Sequence, residues 1–178
     1  MLPNHELRNP AVAALEGAFA RIAATRMAGL PLNNPALCVA TVGFVPWEDS
    51  HVGVLITPWA INLAAVSADP DALRLATDVR QTWRFPSGEY DLMGGEEPEC
   101  GAFQFCSLFS PAFDFSDQES AVATANEIMR VLVSPEPVAD AQSLQAARMK
   151  GTSVLQAPVS RRGFLRGVFS TSPDSKPT

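Results

Sequence analysis

Residues 36–66 read ALCVATVGFVPWEDSHVGVLITPWAINLAAV, and this stretch decides the fold. Two short runs rich in β-branched and apolar residues, 36–45 and 51–57, flank residues 46–50, whose proline and acidic side chains suit a turn. Residues 61–66 are expected to continue as a third strand beyond Pro58. Three short strands so close together can pair only as antiparallel neighbours, because a parallel crossover needs a dozen or more connecting residues.

Working outward, the segment before this stretch predicts a helix. Asn9 is a good N-cap and Pro10 suits the first turn. Val12, Leu15, Phe19, Ile22 and Ala23 then recur at three- and four-residue steps. Gly29 and Pro31 should end this helix near Met27 or Ala28. After it, 81–85 and 90–93 flank Pro86-Ser87-Gly88 as a hairpin. Residues 101–109 form the clearest strand by aromatic enrichment, with Phe103, Phe105, Ser107 and Phe109 expected on one face. A second helix should start near Ser116 or Asp117 and bury Ala121, Val122, Ala125, Ile128, Met129 and Leu132. The sum is an α+β fold: a mostly antiparallel sheet of five to six strands packed with an N-terminal and a C-terminal helix, the helices covering one face. Residues 1–8 are expected to be a disordered start, 9–133 the domain, and 134–178 a flexible linker and tail.

Composition narrows the function. The 178 residues are 47% hydrophobic and 18% charged, an ordinary globular balance. The net charge of −6 is uneven: residues 1–150 carry 18 acidic against 9 basic side chains, and the last 28 carry 1 against 4. An acidic body repels nucleic-acid phosphates but attracts a basic peptide. The longest largely apolar stretch, 53–66, falls short of the roughly 20 residues that span a bilayer. MLPNHELRNP places Pro, Asn and charges where a secretion signal would be apolar. With three cysteines (Cys38, Cys100, Cys106), this usage favours a reducing cytoplasm.

No catalytic constellation stands out. Cys100 and Cys106 lack zinc-knuckle spacing and read as core or strand cysteines. His51 has no nucleophile-elbow motif beside it. Gly94-Gly95 runs into Glu96-Glu97, whose charges would repel a phosphate. No cofactor and no metal are expected. Binding suits the chain better. Trp47, Trp59 and Trp83 are amphipathic contact residues, with a core position expected for at least one. Trp59 and Asn62, beside the Pro58 turn, could accept a peptide, and Glu96, Glu97 and Glu99 are its natural electrostatic complement.

Near the end, residues 160–167 read SRRGFLRG. Ser160, Arg161, Arg162, Phe164, Leu165 and Arg166 match the twin-arginine pattern S-R-R-x-F-L-K, yet no apolar run follows, so the segment cannot itself direct export. One reading is a basic tail with an accidental match. The other is a protein that handles, copies or competes with such signals, its tail folding back to occupy the client's site part of the time.

Several segments together, RMAGLPLNNPAL (26–37), VGFVPWE (42–48), GVLITPWAINL (53–63), FPSGEYDLMGGEEP (85–98) and CSLFSPAFDF (106–115), resemble the HybE/HupJ family of nickel–iron hydrogenase assembly chaperones. The resemblance implies a small non-catalytic cytoplasmic protein. It would hold the hydrogenase small-subunit precursor, with its twin-arginine signal, until cofactors are inserted and the large subunit joins. Some members look tied to protecting maturation from oxygen alongside a rubredoxin-like partner. A small redox or metal-binding accessory protein is therefore the alternative. Neither nucleic-acid binding nor stable membrane insertion is implied.

Overall fold

The structure, a computed structural model, describes residues 9–134. The expected N-terminal start and the tail from 135, with its twin-arginine-like motif, lie outside the described residues. The element order is α1 (Pro10–Ala24), β1 (Ala40–Trp47), β2 (Ser50–Ile56), β3 (Ile61–Val66), β4 (Arg80–Phe85), β5 (Gly88–Glu97), β6 (Gly101–Phe109) and α2 (Gln118–Leu132). The strands form one sheet in the order β1-β2-β3-β6-β5-β4. The described pairs β1–β2, β2–β3, β3–β6 and β5–β6 are all antiparallel. This is the expected α+β class, but β2 and β3 are buried along nearly their whole length, so both faces of the sheet are covered there and not one. Neither helix is long and apolar enough to cross a membrane.

The α1 cap forms as its sequence dictates: the Asn9 side chain accepts from the backbone N–H groups of Ala11 at 2.9 Å and Val12 at 3.4 Å. Its end comes earlier than expected, at Ala24, where Thr25 leaves the helical conformation, turning its N–H to the Ile22 carbonyl at 3.2 Å and bonding the Arg21 carbonyl through its hydroxyl at 2.7 Å. Strand β1 also starts later than the apolar run suggests. The N–H of Ala36 bonds the Asn34 side chain at 3.0 Å, and the N–H of Cys38 bonds the Gln118 side chain at 2.9 Å. Those donors are therefore not available to a sheet. Pro46 is inside β1 rather than in the turn, opposite His51, which an edge strand tolerates. Strand β5 runs through Gly94 and Gly95, which pair with Gln104 and Phe103. Asp117 caps α2 by accepting the Ser120 N–H at 2.7 Å.

One buried cluster joins Val12 and Leu15 of α1 to Leu55, Ala64, Val66 and Phe103 of the sheet. The alternation along β6 breaks before its end. Asn62 pairs with Ser107 but Ile61 pairs with Phe109, so β6 carries one extra residue there. Phe109 thus leaves the Phe103/Phe105 face expected for it and meets Phe115 edge-on at 5.2 Å. Toward the other end of the sheet, Trp83 is buried. Its indole N–H donates to the Gln104 side chain at 2.7 Å, and Gln104 donates in turn to the Leu73 carbonyl at 3.1 Å. Among the described residues, Phe85–Gly88 and Val131–Ser134 group as a separate small unit, in which the Ser87 N–H donates to the Leu132 carbonyl at 3.4 Å.

Candidate functional site

Where α1 ends, the sheet face beneath it is left open as a groove of about 560 Å³. Phe19, Ile22, Arg26 and Met27 form one wall, Trp59 and Ala60 another. Leu55, Asn62, Phe103 and Phe105 line the strands, and Glu97, Ser107 and Ser110 complete the lining. The register explains the convergence: Asn62 is opposite Leu55 on β2 and Ser107 on β6, so all three share the face that α1 covers further along.

The aromatic rings form a continuous row. Trp59 stacks on Phe19 with centroids 6.4 Å apart, Phe19 meets Phe103 edge-on at 5.6 Å, and Phe103 lies 5.9 Å from Phe105. Gly95 makes room for this row. A Cβ there would fall 2.5 Å from the Phe103 ring. The Gly-Gly pair of 94–95 is thus a packing device, consistent with its unsuitability as a phosphate cradle.

Trp59 is positioned by its own turn. Thr57 donates N–H and hydroxyl to the Ala60 carbonyl at 2.9 and 2.7 Å, closing the loop around Pro58. Asn34 then fastens three loops together. Its N–H bonds the Pro58 carbonyl at 2.7 Å, and its buried side chain donates to the carbonyls of Ala112 at 2.9 Å and Phe115 at 2.8 Å. Exposed Leu30, Leu32 and Phe113 lie on two of these loops.

The acidic stretch already has partners within the chain. Glu97, whose side chain is only 13% exposed, pairs with Arg21 at 3.0 Å and with Arg26. Glu99 takes Arg21 in a two-pronged contact, one prong at 2.9 Å. That hydrogen bond is the main cause holding the Glu99 carboxyl below its ordinary range and the Arg21 guanidinium above its own. Glu96 points elsewhere, to Arg74 at 2.5 Å, beside a second depression of about 530 Å³ that includes Leu75 and Gly94.

The structure therefore brings Trp59, Asn62 and Glu97 together, sets Glu99 next to them through Arg21, and leaves Glu96 apart. Ser160, Arg161, Arg162, Phe164, Leu165 and Arg166 fall outside the described residues. Sequence reasoning missed Phe19, Phe103 and Phe105 as groove residues, having assigned them to helix and strand faces only. The usable signal was three rings on faces that must meet, opposite a glycine.

Two of the three cysteines are disfavoured as thiolates. Burial, followed by the Glu97 and Glu99 carboxylates, pushes the Cys100 thiol up to about 11, and burial also raises Cys106. Protonated thiols are poor nucleophiles and poor metal ligands. Among the described residues, no three His, Cys, Asp or Glu side chains gather to hold a metal. His51 accepts from the Asn9 side chain at 3.2 Å, tied to the α1 cap.

Known proteins resemble the chain in sequence and in fold. Over 135 residues, the chain is 43% identical to Protein HoxT of Cupriavidus necator, covering 68% of this chain and 75% of that one. It is 36% identical to the hydrogenase expression/formation protein HupJ of Bradyrhizobium diazoefficiens, covering 88% and 87% of the two chains. The solution structure of HybE from Escherichia coli shares the fold, with a TM-score of 0.55 at 24% identity over 69% of this chain and 76% of that one. A family model described as NiFe-hydrogenase assembly, chaperone, HybE matches residues 10–167, and the chain accordingly belongs to the HybE family of hydrogenase assembly chaperones.

Proposed function

We propose that the groove at the end of α1 binds the small-subunit precursor of a nickel–iron hydrogenase at its twin-arginine signal. The chaperone holds it in the cytoplasm, without catalysis of its own, while cofactors are inserted and the large subunit joins. The observation that carries this reading is a row of aromatic rings ending in carboxylates, on a body with 15 acidic and 6 basic side chains among residues 9–134.

The chemistry suits a twin-arginine peptide in two parts. The Phe-Leu that follows the arginines is apolar, and burying one such side chain against Trp59 and Phe105 contributes about 1.5–3 kcal/mol. The arginines meet carboxylates that Arg21 and Arg26 already hold, so each client guanidinium exchanges for one of the chain's own. Exchange adds little net energy, but the acidic body speeds encounter. Modest affinity with fast association fits a chaperone that must release its client. The large subunit and a rubredoxin-like accessory protein are further partners under this reading.

The test is titration of a signal peptide into the full chain, followed calorimetrically, with Trp59→Ala alongside. Wild-type binding and a loss of about tenfold or more in the variant are expected. Equal affinity removes the groove from the client site.

A further inference from the structure

Asn62 is the odd residue of the groove. It sits mid-sheet on β3, 6% exposed, between Leu55 and Ser107, and the rest of its strand is buried and otherwise apolar. A carboxamide offers two donors and two acceptor lone pairs, and buried ones are nearly always bonded. The other buried asparagine, Asn34, follows that rule with two side-chain bonds. Asn62 makes no side-chain hydrogen bond to any described residue, and its amide oxygen and nitrogen are not among the fully enclosed unpaired atoms, so they open into the groove that Asn62 lines. A carboxamide unpaired within the described fold and open to a groove is available to a polar group that enters it.

The shape of the group indicates what completes it. A carboxamide presents a donor and an acceptor side by side, which matches the N–H and C=O of one residue in an extended chain. A helical segment has those groups bonded internally. The Glu97 edge and the acidic body favour a basic segment over an acidic one. We infer that Asn62 reads the backbone of a bound polypeptide. The occupant is an extended basic segment with an apolar side chain seated between Trp59, Phe19 and Phe105, its own peptide group paired with the Asn62 carboxamide. Recognition then tolerates many apolar side chains but requires the segment to be unfolded at that point. This inference rests on the groove being the client site and specifies the conformation it accepts.

The experiment uses the full chain and a synthetic peptide containing Ser-Arg-Arg-Ala-Phe-Leu-Lys. A second peptide is N-methylated at the backbone nitrogen of its Phe, and both are titrated into wild type and Asn62→Leu. Wild type should bind the first peptide, and either change alone should weaken binding about tenfold. The two changes together should cost little more than one, because they break the same contact. Asn62→Leu binding both peptides as wild type does, or the two losses adding independently, overturns the backbone-reading role while leaving the client site standing. Failure of wild type to bind any peptide overturns the client site and this inference with it. Should Asn62→Leu not fold, the side-chain amide resonances of Asn62 in wild type serve instead. They should shift on adding the first peptide and not the N-methylated one, and an unchanged position with bound peptide overturns the role.

Discussion

Arg21 of the first helix and Glu97 at the end of β5 meet at 3.0 Å although 76 residues separate them. The contact closes one edge of the groove, and Arg26 reaches the same carboxylate. A stretch that looks like a free acidic patch in one dimension is therefore a set of carboxylates held by the chain's own arginines. Any incoming guanidinium must displace one of them.

Arg21→Gln should accordingly tighten, not weaken, the binding of a twin-arginine peptide. It frees Glu99 and half of the Glu97 contact for the client. The gain should be a few-fold at low salt and vanish near 1 M, where screening acts within roughly 3 Å. Weaker binding of the variant in a salt series would show that Arg21 itself contacts the client.

Replacing Glu96, Glu97 and Glu99 together by Gln should reduce affinity for the basic peptide at low salt, mostly through a slower association rate. Stopped-flow mixing separates the two rates. An unchanged affinity at low salt removes the acidic stretch from the site.

Gly95→Ala should destabilise the protein by about 1–3 kcal/mol in urea unfolding, as overpacking does. Its Cβ would stand 2.5 Å from the Phe103 ring. Because Phe103 supports Phe19 and Phe19 stacks on Trp59, the native tryptophan emission should shift as well. Wild-type stability together with unshifted emission would mean that the row is not coupled.

Thiol labelling should follow burial. At pH 8 exposed Cys38 is expected to react first, while Cys100, with its thiol pushed up to about 11, reacts only as the solution approaches that pH. The linked effect on stability has a definite sign. The folded value lies above the unfolded value of about 8.5, so this contribution is fully present below that pH and is lost as pH rises through about 11. Rapid native-state labelling of Cys100 at pH 8, read by peptide mass mapping, would contradict the half-buried placement beside Glu97 and Glu99.

Much of the fold was legible because its signals are local. Asn9 and Pro10 mark a helix start through bonds two and three residues away, and the short apolar, β-branched runs within 51–66, broken at Pro58, mark strands regardless of partners. The delayed start of β1 was not legible, since it depends on Gln118, which accepts from Cys38 80 residues earlier in the chain. Nor was the turned-away Phe109, which depends on a bulge fixed by pairing with β3. Trp59 and Asn62 could be singled out together because both follow Pro58 directly and are only three positions apart.

What the sequence alone determined is the set of helices and strands, the acidic character of the body, and the kinship with hydrogenase assembly chaperones. Only the tertiary structure decided which carboxylates are already paired, which rings form the row, and that the Asn62 carboxamide opens into the groove without a side-chain hydrogen bond among the described residues. The reason is the range of the forces involved. Helix caps and strand periodicity act over a few residues of chain, whereas a hydrogen-bond partner or a ring contact exists only once the register of distant strands has brought the two groups within about 3–6 Å.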